Sequence, residues 1–425
     1  MLEEILDYRN IQKALTRVIS NKGAGGVDGM QTDELRDYLQ HHWSDLKSSI
    51  LSGNYRPCPV RGIEIPKASG GSRLLGIPTV IDRLIQQAIQ QWLSPRYEGD
   101  FSPFSYGFRP NRNGHQAVLQ ARSHIAVGGS WIIELDMEKF FDHVHHDRLI
   151  SQLSKRITDK RVLELIRRYL ASGILVGGVV SPRQEGTPQG SPLSPLLSNI
   201  VLDELDRELH KRGHKFVRYA DDCSIYLNSN KSAHRVLESV TGYIERELRL
   251  KVNREKTKIS RPSGSVLLGF SFYRNIKGEH RIRIPLSSEK RISDKIRKLT
   301  QRNSPMPEKD RISRLESIIV GWVNYFSIAD CKKLMHKLDS KVHGRLRMCV
   351  WKQWKTIKGR YRHLIKLGVP KRNAWQWSNT SSGYSRTARS PILCSTLTSE
   401  YFRKQGYVGF YQHYYLKTEH QKKLF

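Results

Sequence analysis

Tyr219-Ala220-Asp221-Asp222 stands between two apolar runs, Phe216-Val217-Arg218 before it and Cys223-Ser224-Ile225-Tyr226-Leu227 after it. That pattern reads as strand, tight acidic turn, strand. Adjacent carboxylates at a hairpin tip repel each other, and they are tolerable where a divalent cation lies between them and a third ligand. Asp136 is the candidate for that third ligand: it ends the β-rich run Trp131-Ile132-Ile133-Glu134-Leu135, 85 positions ahead of Asp221. Three carboxylates holding two Mg²⁺ ions are what in-line nucleotidyl transfer needs. One ion lowers the pKa of the attacking hydroxyl, and the other binds the triphosphate and stabilises the leaving pyrophosphate. Taken alone, an Asp-Asp pair is most often a solvated turn. The apolar framing makes this one a stronger candidate.

The elements that must position these residues follow from hydrophobic periodicity. Residues 4–20 read as an amphipathic helix, with Ile5, Ile11, Leu15, Val18 and Ile19 at near-helical spacing. The glycine-rich stretch Asn21-Lys22-Gly23-Ala24-Gly25-Gly26-Val27-Asp28-Gly29 breaks it into a loop. Strand-like and helical patterns then alternate to about residue 285. Beyond that point three helical stripes follow: Ile292, Ile296 and Leu299; Ile312, Leu315, Ile319 and Trp322; Leu334, Leu338, Val342 and Leu346. This predicts an α+β body followed by a separate helical domain over 286–360. The tail past 365, rich in Ser, Thr, Arg and Tyr, carries no pattern that sets its structure.

Charge names the class of partner. The 425 residues hold 72 Lys and Arg against 40 Asp and Glu, a net charge of +32. Residues 271–425 hold 34 Lys and Arg against 10 Asp and Glu, so +24 of that surplus lies there; residues 340–399 contain no acidic side chain at all. Five of the eight tryptophans (Trp322, Trp351, Trp354, Trp375 and Trp377) fall in the same third. Such a surplus calls for a polyanion, because phosphate neutralisation releases counterions, and interleaved aromatics can stack bases. Arg345, Arg347, Lys352 and Lys355 are the expected contact set. The five cysteines are scattered without a CxxC pair, which argues against a zinc site or a disulfide framework and fits a reducing cytoplasm. With 38% hydrophobic residues, no run of about 18 apolar residues and an acidic opening at Met1-Leu2-Glu3-Glu4, neither a membrane span nor a signal peptide is expected.

At this point the residues resemble a known family. Tyr219-Ala220-Asp221-Asp222 is similar to the central motif of reverse transcriptases, and Glu134-Leu135-Asp136-Met137-Glu138-Lys139-Phe140-Phe141-Asp142 resembles the palm motif before it. Between them, Gly186-Thr187-Pro188-Gln189-Gly190-Ser191-Pro192-Leu193-Ser194-Pro195 resembles the family's Pro-Gln-Gly segment, with Ser191 where relatives often carry a second glycine. Residues 21–30, Ile63-Glu64-Ile65-Pro66-Lys67, Arg73-Leu74-Leu75-Gly76-Ile77-Pro78-Thr79 and Ser105-Tyr106-Gly107-Phe108-Arg109-Pro110-Asn111-Arg112 narrow the resemblance to the group II intron branch. Gly321-Trp322-Val323-Asn324-Tyr325-Phe326 and the run 345–354 resemble its maturase thumb, or X domain. The resemblance spans about residues 20–360 in the family's order. It is to the form lacking the HNH endonuclease domain, whose paired Cys and His find no counterpart here.

The resemblance implies a right-hand polymerase fold: fingers and palm with an antiparallel sheet in 1–285, a helical thumb in 286–360, and a basic nucleic-acid-binding region in 361–425. It implies that Asp136, Asp221 and Asp222, joined by the main-chain carbonyl of Met137, hold two Mg²⁺ ions, with Mn²⁺ able to substitute. Phe141 falls where the family's steric gate selects deoxynucleotides, although a core aromatic is the plain alternative. Arg61, Lys67 and Arg73 fall at the spacing of the residues that clamp the triphosphate, where cations offset developing charge. Gln189 would lie beside the nucleotide sugar and Lys256, with Lys258 as competitor, near the pyrophosphate. Implied partners are deoxynucleoside triphosphates, an RNA template/DNA primer duplex, the group II intron RNA and target DNA, in a bacterial cytoplasmic ribonucleoprotein, with no membrane. The family places a helix start at His143, His145 and His146, so that cluster reads as surface rather than as a metal site. Two alternatives remain: a repair-type or other prokaryotic reverse transcriptase, and a splicing-only RNA-binding maturase.

Overall fold

The computed structural model describes residues 1–66 and 70–423, and its contacts fall into two compact units, Met1–Pro262 and Ser263–Phe425. The first opens with α1 (Leu2–Ile5) and α2 (Tyr8–Ser20), which Asp7 caps by accepting the Arg9 N–H. The expected stripe is buried at Ile5, Ile11, Leu15 and Val18. The glycine loop then presses on the chain ahead of the fourth helix: a Cβ on Gly26 would lie 2.6 Å from the Thr79 Cα, so only glycine fits.

After α3 (Leu35–Leu51) come β1 (Val60–Pro66) and β2 (Ser72–Ile77), an antiparallel pair in which Arg61 faces Ile77 and Ile65 faces Arg73. Thr79 caps α4 (Val80–Glu98). The buried Asp82 in its first turn accepts from Tyr55 Oη (2.7 Å), Thr79 Oγ1 (2.7 Å) and the Cys58 N–H (3.2 Å), tying the approach to β1 onto the helix. Next are α5 (Gly114–Ala126), closed by an Asn113–Gln116 capping box, β3 (Trp131–Leu135), α6 (His146–Ser154) and α7 (Lys160–Ala171). The unit continues through β4 (Ile174–Val176), β5 (Val179–Ser181), α8 (Ser194–Lys211), β6 (Lys215–Tyr219), β7 (Asp222–Leu227), α9 (Asn230–Arg246) and β8 (Lys258–Ser260).

Two sheets result, ordered β2-β1-β4-β5 and β6-β7-β3-β8. The second is antiparallel throughout. One core joins it to the helices around it, with Ile89, Leu93, Ile133, Leu165, Leu202, Phe216, Ile225 and Ile244 all deeply buried. The β1–β4 pair is parallel.

The second unit begins with the hairpin β9 (Ser271–Arg274) and β10 (His280–Arg283). The Ile282 carbonyl accepts the Asp330 N–H at 2.9 Å, which places this hairpin with the helices that follow. The three expected stripes are α10 (Leu286–Leu299), α11 (Glu308–Phe326) and α12 (Lys332–Gln353), and no strand interrupts 290–350. Ile292, Ile296, Ile312, Leu315, Ile319, Leu338, Val342 and Leu346 are buried as their spacing requires. The tail forms α13 (Ile357–Lys366), α14 (Lys371–Ser378), α15 (Tyr384–Thr387), α16 (Pro391–Thr396), α17 (Ser399–Lys404) and α18 (Phe410–Lys423). Two carboxylates seat the start of α18: Asp339 accepts the N–H groups of Phe410 and Tyr411, and Glu316 those of Val408 and Gly409.

Three of the four expected basic contact residues also serve the packing of this unit. Arg345 donates to Thr300 Oγ1 and to the carbonyls of Arg297 and Thr300, at the C-terminal end of α10. Arg347 donates to the Leu397 carbonyl and to Cys394 Sγ, and Lys352 Nζ lies 3.4 Å from Tyr384 Oη. These three tie helices together, and only Lys355 of the four stands exposed without such a role.

Candidate active site

The acidic turn is placed by register. In the antiparallel β3–β7 pair Leu135 faces Cys223, so one further step sets Asp136 opposite Asp222. In the β6–β7 pair Tyr219 faces Asp222, leaving Ala220 and Asp221 as the turn. Ala220 has φ +57°, the left-handed region that a residue with a Cβ adopts only when its surroundings hold it there.

The holder is a buried polar network. Arg218, fully buried in β6, donates in parallel to both carboxylate oxygens of the equally buried Asp206 on α8, at 2.8 and 2.6 Å. Its Nη1 also donates to the Ala220 carbonyl and to Asn199 Oδ1, each at 2.9 Å. Asn199 Nδ2 in turn donates to the Gly107 carbonyl at 2.9 Å. Gly107 lies so close that a Cβ there would be 2.2 Å from the Ala220 nitrogen. The segment around it runs along β6, with Tyr106 N–H donating to the Arg218 carbonyl and Arg218 N–H to the Phe104 carbonyl. Arg109 pins the same segment through the carbonyls of Ser102 and Ser105 and through Glu98. None of Arg218, Asp206, Asn199 or Gly107 was among the sequence candidates for the site. A lone arginine inside an apolar strand was the available signal, because it demands a buried partner.

On the neighbouring strand Asp136 is fixed by its backbone. Its N–H donates to Thr257 Oγ1 (3.1 Å) and its carbonyl accepts the Asn253 N–H (2.9 Å), while Glu138 N–H donates to the Lys251 carbonyl (2.9 Å). Those bonds occupy the β8-side rungs on either face of the Met137–Val252 bridge. By antiparallel alternation the Met137 carbonyl therefore points to the other edge, toward β7. Electrostatics agree with a crowded acidic site. Burial, then repulsion from Asp136, raises the Asp221 carboxyl above its ordinary value. Burial pushes Asp222 up to about 6, with repulsion from Asp221, Asp136 and Glu134 adding to it. The donors are hard oxygens whose mutual repulsion a divalent cation would relieve, so the residues fit such an ion. Among the described residues, no three His, Cys, Asp or Glu side chains already converge as a metal cage.

Phe141 follows a sharp reversal. Lys139 has φ +44° and Phe140–Asp142 makes a single 3₁₀ turn, burying Phe140 and leaving Phe141 half-buried with its ring edge-on to it. The Thr187 N–H donates to the Phe141 carbonyl at 2.6 Å and the Gly186 N–H to the Val144 carbonyl at 2.8 Å. Gly186 has φ +88°, and a Cβ there would strike the carbonyls of Phe141 and Asp142. The other end of the same segment meets β2: the Gln189 carbonyl accepts the Gly76 N–H at 2.8 Å. One loop thus joins Phe141 and Gln189 to the strand that carries Arg73.

Arg61 and Arg73 lie on one face of the β1–β2 hairpin, since Arg73 pairs with Ile65, four residues from Arg61. They stand about 13 Å apart along the strand at ~3.3 Å per residue. Lys67 lies outside the described residues. The Lys256 N–H is held by Asn253 Oδ1 at 3.1 Å, with its side chain exposed. Its competitor Lys258 pairs with Glu134 at 3.3 Å. The three histidines face different partners: His146 Nε2 the Gly186 carbonyl, His143 Glu185, and His145 the Arg148 N–H as cap of α6.

Comparison with known proteins decides the family. Residues 65–272 match "Reverse transcriptase (RNA-dependent DNA polymerase)" and residues 289–368 match "Group II intron, maturase-specific domain". The chain belongs to the reverse transcriptases that carry a group II intron maturase domain. It is 33% identical over 323 residues to protein YkfC of Escherichia coli (strain K12), covering 66% of this chain and 85% of that protein. It is 36% identical over 206 residues to the group II intron-encoded protein LtrA of Lactococcus lactis subsp. cremoris, covering 48% of this chain and 34% of that one. A putative COX1/OXI3 intron 2 protein of Saccharomyces cerevisiae is 30% identical over 265 residues, covering 61% of this chain and 29% of that one. The chain thus spans most of YkfC but about a third of the two intron proteins. The family gives its enzyme class, RNA-directed DNA polymerase, and its fold, the α+β right hand followed by a helical thumb. The reverse transcriptase match encloses Asp136, Asp221 and Asp222 as well as Phe141, Gln189 and Lys256; Arg61 lies just ahead of it. Among the described residues, no helix is long and apolar enough to cross a membrane.

Proposed function

We propose that this reverse transcriptase extends a primer 3′-hydroxyl along an RNA template at Asp136, Asp221 and Asp222, and that it binds its group II intron RNA to assist splicing and retrohoming into target DNA. The observation that carries the reading is the register that sets Asp136 opposite Asp222 at one end of the antiparallel sheet. Two Mg²⁺ ions, or Mn²⁺ in their place, would be held by those carboxylates and the Met137 carbonyl, supplying the Lewis acidity that activates the hydroxyl and offsets pyrophosphate charge.

The chain's own residues do the rest. Arg61, Lys67 and Arg73 hold the triphosphate of the deoxynucleotide, and Lys256 approaches the pyrophosphate. Phe141 stands against the sugar and excludes a 2′-hydroxyl, with Gln189 beside it on the loop that clamps the Phe141 backbone. The Arg218–Asp206 pair keeps the acidic turn in its strained form, so the carboxylates are positioned before substrate arrives. We assign fingers and palm to 1–285, thumb to 286–360, and a basic nucleic-acid-binding region to 361–425; by contacts, the β9–β10 hairpin groups with the helices. The working form is a cytoplasmic ribonucleoprotein. RNA-templated primer extension with deoxynucleotides and Mg²⁺ tests this directly, and a chain that binds RNA without extending a primer would overturn it.

A further inference from the structure

Among the five tryptophans of the basic third, Trp351 and Trp354 are buried, Trp322 and Trp377 are half-buried, and Trp375 is 67% exposed. An exposed indole forgoes the largest burial any side chain offers, so its setting matters. Trp375 lies on α14, packed against α13 through a turn at Gly368, whose φ is +84°. Lys371 and Arg372 occupy the preceding turn of α14, four and three residues back, so all three share one face. Helical side chains lean toward the N-terminus, which aims the ring at that turn.

The facing helix is equally one-sided. Arg360 lies over Trp351 (4.7 Å) and His363 stacks on Trp354 (4.9 Å), so both are engaged with those rings. Lys358, Arg362 and Lys366, at successive i, i+4 positions of α13, are exposed. From Lys355 to Arg372 there are seven cations and no carboxylate, and none of the seven makes an ion pair among the described residues. Five exposed cations on two packed helices, together with one exposed ring, offer what a single strand needs: charge for its phosphates and a platform for a flat base that has left its stack.

We propose that the α13–α14 hairpin captures an unpaired stretch of RNA, with one base stacked on Trp375 and the adjoining phosphates on Lys371, Arg372 and the Lys358–Arg362–Lys366 stripe. RNA is the occupant because α13 falls within the matched maturase-specific domain, a choice that rests on the proposed intron binding. Trp375 is exposed, so replacing it removes no core contact.

The test uses the full chain and a single-stranded oligoribonucleotide carrying one 2-aminopurine, with the same sequence as DNA and as a blunt RNA duplex. Trp375→Ala should weaken single-strand RNA binding about tenfold, within the range for one stacked base, abolish the quenching of 2-aminopurine, and leave the salt slope unchanged. Trp375→Phe should restore most of both. Replacing Lys371 and Arg372 by Ala should flatten the log–log salt slope by about 1.4, at ~0.7 per single-strand phosphate. Unchanged affinity and quenching in Trp375→Ala would overturn the proposal, as would equal losses on the blunt duplex or tighter binding of the DNA strand. Primer extension by the unaltered chain reports separately on the polymerase reading.

Discussion

A single arginine carries more of the candidate site's geometry than its place in the sequence suggests. Arg218 and Asp206 are both fully buried and share two parallel hydrogen bonds, with a third bond from Arg218 to Ala220. Removing one partner of such a pair costs about 3–5 kcal/mol, because the other charge is left buried alone. Arg218→Lys keeps the charge but cannot make the planar fork. It should lower kcat by one to two orders of magnitude, about 1.4 kcal/mol per tenfold, and raise the Mg²⁺ concentration needed for half-maximal activity. The KM for template–primer should stay put, and an unchanged Mg²⁺ requirement would reduce the pair to a packing feature. Phe141 makes the second prediction at this scale. Phe141→Ala should raise ribonucleotide incorporation by orders of magnitude while deoxynucleotide use stays largely intact; unchanged discrimination in steady-state kinetics would leave Phe141 as packing against Phe140. The hairpin that carries Asp221 and Asp222, and the strand that ends at Asp136, were legible because strand, turn and strand are local signals. Arg218–Asp206 was not, since partner choice across twelve residues and two elements is set by tertiary packing.

At the scale of elements, the loop that clamps Phe141 depends on a buried histidine. His146 Nε2 lies 2.7 Å from the Gly186 carbonyl, and burial, with help from Arg183 and Arg167, lowers its pKa below the ordinary 6.5. On acidification the unfolded chain therefore takes up this proton first. The His146 contribution to stability is complete above pH about 6.5 and is lost as the pH falls through the lowered folded value. Thermal melts across pH 5–8 should show a steeper acid-side loss in wild type than in His146→Gln; parallel curves would mean the ring is solvated. Arg345 makes a second element-level case. Its bonds to the end of α10 predict that Arg345→Ala costs about 1–3 kcal/mol of stability, while Lys358→Ala and Lys366→Ala change Tm little; an undiminished Tm for Arg345→Ala would contradict this. The long stripes of α10, α11 and α12 could be read ahead of the structure because each spans three or more turns. Helices α15–α17, of four to six residues, could not. They show too few periodic positions, and they form because Leu393, Leu397 and Phe402 find buried sites. The parallel β1–β4 pairing likewise joins strands more than a hundred residues apart, which no local pattern reveals.

For the whole molecule, charge and chemistry are divided along the chain. The acidic site lies in the first unit, whereas residues 271–425 hold +24 of the +32 surplus. On the proposed reading, polymerisation needs the carboxylates, while support of splicing needs a surface that holds folded RNA, because the intron supplies its own chemistry. Asp221→Ala with Asp222→Ala should accordingly leave intron binding and splicing in place, and a parallel collapse of splicing in a folded variant would mean the palm itself holds the intron. The most direct measurement is RNA-templated primer extension with Mg²⁺ by the unaltered chain and this double variant from matched, folded preparations. The account predicts full-length cDNA from the first and none from the second. Extension by the double variant at the rate of the unaltered chain would contradict it, because the catalytic carboxylates would then lie elsewhere.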